Sequence, residues 1–159
     1  MAIVRQQVID AIEEKLQAIT FANGYSREVG TRRVYTARRL PQSLPTPAII
    51  LYQLAELVQP NLQERYECAL PLAIAFIDTY GGRDPDVEAI EFASEIQKAM
   101  GVEFIISCTS YVSGTIDQTV RMEETGNFIN AGEPLDGKIY GQIDYDVNYV
   151  RHMLDPEKV

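Results

Sequence analysis

The clearest pattern of apolar and polar positions lies in residues 64–77, where a large apolar side chain occupies every second position. Such strict alternation is typical of a β-strand with one face on a core. At about 3.3 Å per residue this strand is longer than a small domain requires, so we expect part of it to project as an arm. Pro71 lies inside the strand and cannot donate a backbone hydrogen bond, which predicts a sheet edge or a bulge there.

Two other segments have the periodicity of amphipathic helices. In residues 3–19 apolar side chains recur at spacings of three and four, and polar side chains fill the opposite face. A second helix is predicted to start at Asp84-Pro85, because aspartate caps free N–H groups and proline fits the first turn. Its predicted buried face consists of Val87, Ile90, Ala93, Ile96 and Met100.

Shorter patterns predict the remaining strands. Residues 25–39 are predicted to form a strand centred on residues 31–36, and residues 48–52 and 139–150 are predicted to form two more. The patterns at residues 102–106 and 115–124 are looser and leave open a strand or a link into one. The glycine-rich residues 125–138 are predicted to form an extended loop, long enough to suspect a function. The chain from about residue 151 is predicted to be a mobile tail. The order of elements indicates one α+β domain over residues 1–159, with a mainly antiparallel sheet of four to five strands and two helices packed on it.

The composition is that of an ordinary globular domain and narrows the choice of partners. Of the 159 residues, 46% are hydrophobic and 23% are charged, and the formal net charge is -9. This charge argues against nonspecific binding to nucleic acid or to an anionic membrane. No apolar run approaches the length of a membrane span and no signal peptide is evident, so we expect a cytosolic origin. Cys68 and Cys108 have no metal-type spacing, and Cys68 is expected to be a buried free thiol.

Asp144 and Asp146 are the first candidates for chemistry. They lie on one face of the predicted strand, about 7 Å apart, where two carboxylates could hold a divalent cation. Gln142 and Asn148 continue the same polar face, and no third ligand is nearby in sequence. A solvated acidic face is therefore the main interpretation, with a metal site as the alternative and, in the ring that the resemblance given below implies, an acidic lumen.

Other candidate motifs have structural explanations. Capping accounts for Asp84, and the preference of a helix start for acidic residues accounts for Asp86. His152 is the only histidine, has no nucleophile motif beside it and is expected at the surface. Gly81-Gly82 lacks the lysine and hydroxyl residue of a phosphate loop. We therefore expect no catalytic residue, no metal and no cofactor.

The arginines near residues 31–39 are the least ordinary feature of the chain. Arg32 and Arg33 would point to opposite faces of a strand, as would Arg38 and Arg39, so they cannot all belong to one solvated side. Contact with an acidic protein neighbour is the favoured interpretation, and solvated surface or a nucleic-acid patch are the alternatives. The predicted interface residues are Arg32, Arg33, Arg38, Arg39 and Pro71.

Taken together, this layout resembles the tail terminator (tail completion) proteins of long-tailed bacteriophages. The resemblance covers roughly residues 4–150. It consists of the N-terminal helix, the arginine-bearing strand, the proline-rich turn into a buried strand, the long strand ERYECALPLAIAFI, the helix entry in GGRDPDVEAIEFASEIQKAM and the closing strand pair.

The resemblance implies a structural virion protein without enzymatic activity. Six copies would form a ring on the last ring of the tail tube, stop tail polymerisation and present a surface to the head-tail connector. The implied partners are other copies of the chain, the tail tube protein and the connector protein, with DNA passing through unbound and no membrane involved. The implied location is the tail or neck of the virion, and the host cytoplasm during assembly. The alternatives are a head-side neck adaptor of the same virion and a small metal-dependent hydrolase that uses Asp144 and Asp146.

Overall fold

The computed structural model describes residues 3–37, 41–110, 112–129 and 137–159. These residues form an α+β fold with two helices and one curled, mostly antiparallel sheet. The helices are α1 (Val4–Gln17) and α2 (Pro85–Met100). The strands are β1 (Val34–Thr36), β2 (Ala48–Gln53), β3 (Leu57–Pro60), β4 (Arg65–Thr79), β5 (Glu103–Ser110), β6 (Gly114–Ile129) and β7 (Lys138–His152).

The sheet contains seven strands, in the order β1-β2-β4-β7-β6-β5, with β3 paired to β4 beside β2. Only β1 and β2 run parallel. The class and the two helices agree with the sequence analysis, whereas the expected four to five strands are too few. One reason is β3, whose four residues are all exposed and therefore carry no alternating pattern.

β4 lies in the middle of the sheet. Each of its residues pairs with β7, from Arg65 opposite His152 to Thr79 opposite Lys138. On its other side, the first part of β4 pairs with β3 and the last part of β4 pairs with β2. The expected projecting arm is therefore wrong: the strand is long because its neighbour β7 is equally long.

Pro71 had been expected at a sheet edge or a bulge, but it lies in this central strand, where its register with β7 is unbroken. Its carbonyl oxygen accepts a hydrogen bond from the N–H of Leu54, 3.0 Å away, in the segment that joins β2 to β3. Both backbone groups of a strand residue point to the same neighbour, so the missing N–H of Pro71 faces the junction between these two strands. The ladder is already interrupted at this junction, and this is why proline is tolerated.

The core lies between the helices and one side of the sheet. The alternation predicted for β4 and β7 is confirmed, because the inward side chains from Cys68 to Phe76 and from Ile139 to Tyr149 are buried. The apolar face predicted for α1 is confirmed as well. Asp84 caps α2, because its Oδ1 accepts a hydrogen bond from the N–H of Asp86 at 3.0 Å.

The buried face of α2 differs from the predicted one. Val87 and Ile90 are exposed, and the buried residues are Glu88, Ala89, Phe92, Ala93, Ile96 and Met100. Phe92 packs edge-on against Phe76 of β4, with ring centroids 4.9 Å apart. The helix has two overlapping apolar stripes, one with Val87 and Ile90 and one with Phe92. The stripe with Phe92 faces the sheet, because burial of this large side chain removes more apolar area from water.

The predicted loop at residues 125–138 is partly a strand. β6 continues to Ile129 and β7 begins at Lys138, while residues 130–136 lie outside the described part of the chain. A bulge between Glu124 and Gly126 inserts one residue and changes which positions face inward. The bulge breaks the regular alternation of β6 at this point, and the sequence pattern therefore ended the strand at residue 124.

The C-terminal residues pack against the body instead of forming the expected mobile tail. Val159 is buried, and its N–H donates to the carbonyl oxygen of Thr109 in β5. The N–H of Val4 in α1 donates to the carbonyl oxygen of Pro156 at 3.0 Å. His152, expected at the surface, is only 3% exposed because this segment covers it.

Candidate functional site

The two sides of the sheet differ in what covers them. Phe76 faces α2, and the Sγ of Cys108 in β5 lies 3.6 Å from Oε1 of Gln7 in α1, so both helices lie on the same side. The other side, here called the open face, carries the outward residues of the sheet. They include Ile50, Tyr52, Ala69, Pro71, Ala73, Ala75, Glu123, Phe128, Gln142, Asp144, Asp146 and Asn148. In the described ranges no helix lies on this face.

One half of the open face is apolar. Ile50 and Tyr52 of β2 lie opposite Ala75 and Ala73 of β4, so small residues in the central strand are flanked by larger ones. Leu57 of β3, which is 65% exposed, continues this strip. Leu57 is the exposed member of the strip, Ile50, Tyr52 and Ala75 are half-buried, and Ala73 is 6% exposed. An apolar strip bordered by polar residues, with no described helix over it, is a candidate protein interaction surface.

The other half of the open face is acidic. Asp144 and Asp146 lie on β7, opposite Ala73 and Pro71, and both are half-buried. Glu123 of β6 lies directly opposite Asp146, although like charges in facing positions of a sheet repel each other. Oδ1 of Asp144 accepts a hydrogen bond from Nε2 of Gln142 at 2.8 Å. No cation forms an ion pair with Asp144, Asp146 or Glu123 among the described residues.

The open face also has a shallow groove of about 700 Å³ at the β3 end. It runs from Leu57 past Ala69 and Asn148 to Arg121 of β6. The groove forms where β6 leaves β7 to pair with β5. The side-chain amide of Gln118 bridges this split, bonded to both the N–H and the carbonyl oxygen of Val150 at 2.9 and 3.0 Å.

One part of β6, residues 123–129, is a free sheet edge. It pairs with β7 on one side, and in the described part of the chain no strand pairs with its other side. Five of its seven residues are exposed, among them Phe128 at 60%. Unpaired edges of this kind bind added strands, and charged residues or bulges usually protect them. Here Glu123, Glu124 and the bulge disfavour the addition of a strand that lacks complementary positive charge.

The arginine-bearing segment is mostly not a strand, contrary to the sequence analysis. Only Val34–Thr36 pair with β2, and residues 31–33 form a turn. Arg32 is exposed, and Arg33 is half-buried with Nη1 donating to the carbonyl oxygen of Thr46. Neither arginine has a carboxylate partner among the described residues. The predicted interface residues Arg38 and Arg39 lie outside those residues.

Arg27 has a structural role that the sequence did not reveal. It is 8% exposed, and its guanidinium pairs with Asp78 at 2.8 Å and with Glu91 at 3.2 Å. The same group lies 4.8 Å from the ring centre of Phe92. Removing either partner of such a buried pair leaves an uncompensated charge, so Arg27 belongs to the fold and not to an interface.

Burial shifts the pKa values of both cysteines and of one tyrosine. Burial, with Glu56 nearby, raises the pKa of the Cys68 thiol to about 11, and burial also raises that of Cys108. Burial likewise raises the pKa of Tyr145. Both cysteines are free and buried, as expected for Cys68. A nucleophilic cysteine requires a lowered pKa and access to solvent, and these thiols have neither.

Neither metal-binding nor membrane-spanning elements are found in the described residues. There, no three side chains of histidine, cysteine, aspartate or glutamate approach one another closely enough to bind a metal ion. Neither described helix has the length and apolar character needed to cross a bilayer.

The chain matches no protein-family model, and no curated protein is significantly similar to it.

Sequence reasoning found Asp144, Asp146 and Pro71 on what is now the open face, but missed Glu123 and Phe128. The signal for Glu123 was present, since it alternates with the buried residues Val120 and Met122. Phe128 could not have been found in this way, because the bulge reverses the inward and outward positions after Glu124.

Proposed function

We propose that the chain is a structural subunit of a phage tail, which forms a ring on the completed tail tube and ends its growth. The observation that carries the proposal is the open face, where an apolar strip and an acidic row lie side by side with no helix over them. A surface of this kind is complementary to a protein neighbour. The net charge of -9 suits a ring through which DNA passes without adhering.

Ring formation also suits the free edge of the sheet. An edge at one end of each subunit can be satisfied by the next subunit, and a ring closes the series without leaving an open filament. Six copies is the expected number, by resemblance to tail terminators. The ring would lie on the virion between the tail tube and the head-tail connector.

A head-side neck adaptor is the closest alternative, and it differs only in its neighbour. Headless tails separate the two roles, because a terminator remains on them and a head-side adaptor does not. We therefore expect the protein to co-purify with headless tails from infected cells. Recovery on heads without tails would instead favour the adaptor.

The tail-length distribution tests the capping role itself. In a phage that lacks this chain, the tube can keep adding rings, so we expect overlong tails without heads in electron micrographs. Supplying the wild-type chain in trans should restore one narrow length. Tails of normal length in its absence would contradict the proposal.

The hydrolase alternative depends on Asp144 and Asp146. Replacing both with asparagine removes the charges while keeping the side-chain size, and we expect folding to remain nearly unchanged. If the double variant lost a bound metal ion and a measurable hydrolytic turnover, the structural role would be wrong.

A further inference from the structure

The two ends of the sheet carry unpaired edges of opposite charge. At one end lies β1, which pairs only with β2 among the described residues. Toward the other end, the last strand β5 pairs only with the first part of β6, so residues 123–129 of β6 form a second free edge. Both edges offer backbone N–H and carbonyl groups that a further strand can pair with.

The β6 edge is acidic and its charges repel one another. Glu123 is exposed and faces Asp146 across the β6–β7 pair, and Asp144 lies two positions further along β7. Glu124 accepts hydrogen bonds from the amides of Gln97 and Asn127, which leaves its negative charge in place. The nearest basic residue on β6, Arg121, lies 3.8 Å from Glu103 and is drawn toward β5.

The β1 edge begins with two adjacent arginines. Arg32 and Arg33 immediately precede Val34, and the described residues provide no carboxylate partner for either of them. A guanidinium has five donors, and the hydrogen bond from Arg33 to Thr46 uses only part of them. At the end of β1, Asp10 and Glu13 of α1 border a groove beside Thr36. These carboxylates make the end of β1 acidic, so the positive charge of the strand is concentrated at its start.

We infer that β1 of one copy adds to the β6 edge of the next copy, with Arg32 and Arg33 placed against Glu123 and Asp146. The pairing would relieve the repulsion between these two carboxylates and supply the missing partners of both arginines. Because the contact joins two different edges, a pair of copies still has one free β1 edge and one free β6 edge. Further copies add in the same way until the last copy meets the first and the ring closes. This inference rests on the proposed ring and specifies which surfaces form it.

Charge reversal tests the pairing, with a built-in rescue. Arg32→Glu and Glu123→Arg each place like charges at every contact, so we expect the apparent dissociation constant of the assembly to rise about tenfold or more. The double variant, with both changes in one chain, restores opposite charges and should assemble again. An equimolar mixture of the two single variants should also assemble, because alternating copies present complementary edges at every contact.

Two matched reversals elsewhere serve as controls. Lys98→Glu on α2 and Glu14→Arg on α1 make the same changes of charge at exposed positions. Lys98 lies over the ring of Tyr25, at 5.0 Å from its centre, so this control also requires the check of folding given below. Both controls should assemble as the wild type does. Circular dichroism checks that each variant folds, and sedimentation velocity over micromolar concentrations, with and without tail tube protein, measures assembly.

Each outcome decides between the claims. Loss of assembly in both single variants, with recovery in the double variant and in the mixture, supports the pairing. Assembly of the single variants at wild-type strength would overturn the pairing and leave the ring proposal intact. Loss without recovery would also overturn it, since Arg32 and Glu123 would then not face each other. A wild-type chain that stays monomeric under all these conditions would overturn both claims.

Discussion

At the residue scale, Gly141 of β7 is in close contact with the two strands on either side of it. A β-carbon at this position of β7 would lie 2.5 Å from Cζ of Phe76 and 2.7 Å from the carbonyl oxygen of Phe128. Phe76 is buried against Phe92 and the oxygen belongs to a paired strand, so neither can move away easily. Only glycine fits this contact.

Gly141→Ala should therefore lower the free energy of unfolding by about 1–3 kcal/mol, the usual cost of overpacking. Urea denaturation measures the change. Gly126→Ala on the neighbouring strand is the matched control, since its β-carbon would have no neighbour within 4 Å. Equal stability of the two variants would show that the contact at Gly141 relaxes freely.

A second residue-scale prediction concerns acid stability. The hydrogen bond from the Ser26 hydroxyl lowers the pKa of Glu91 below its ordinary value of 4.5, against the opposing effect of burial, and Arg27 and Arg83 add to the lowering. A lowered pKa in the folded state gives stability above pH 4.5, which is lost as the pH falls through the folded-state value. Ser26→Ala should therefore reduce stability at neutral pH and flatten its decline in acid.

Unfolding followed by circular dichroism across the acid range measures this decline. Ser94→Ala is the control, because the hydroxyl of Ser94 bonds to the carbonyl oxygen of Ile90 in its own helix. An acid profile of Ser26→Ala that matches the wild type would contradict the assigned cause of the pKa shift.

At the element scale, regular patterns predicted the structure well and irregular ones did not. α1, β4 and β7 follow from unbroken periodicity, β2 follows from a short apolar run, and the start of α2 follows from Asp84-Pro85. β3 has no pattern because it is exposed on all four residues, and the second half of β6 was obscured by its bulge. Both are held by pairing with the next strand along the chain, and the alternation within a segment alone does not reveal such pairing.

The corrected face of α2 gives a prediction at this scale. Ile96 is fully buried, whereas Ile90 is 52% exposed, although the sequence placed both on one face. Ile96→Ala should lower the free energy of unfolding by about 2–5 kcal/mol because it leaves a cavity in the core. Ile90→Ala should change it by no more than about 0.5 kcal/mol. Similar losses in both variants would mean that α2 is rotated on the sheet.

At the scale of the whole molecule, the sequence predicted the fold class but not the arrangement of the functional surface. Asp144 and Asp146 were recognised as one row, yet the repulsion from Glu123 appears only when β6 lies beside β7. The sequence assigned no role to Arg27, and the fold buries it against Asp78 and Glu91. These differences depend on which distant elements meet, and that is decided by packing of the entire chain.

The central claim is that this chain forms a closed ring, and its native mass tests the claim most directly. Native mass spectrometry of the purified protein, alone and with tail tube protein, should show one discrete species near six times the 17.9 kDa chain mass. A series of species that lengthens with concentration would indicate an open filament, because head-to-tail contacts that do not close continue without limit. A monomer at every concentration, with or without the tube protein, would contradict the account.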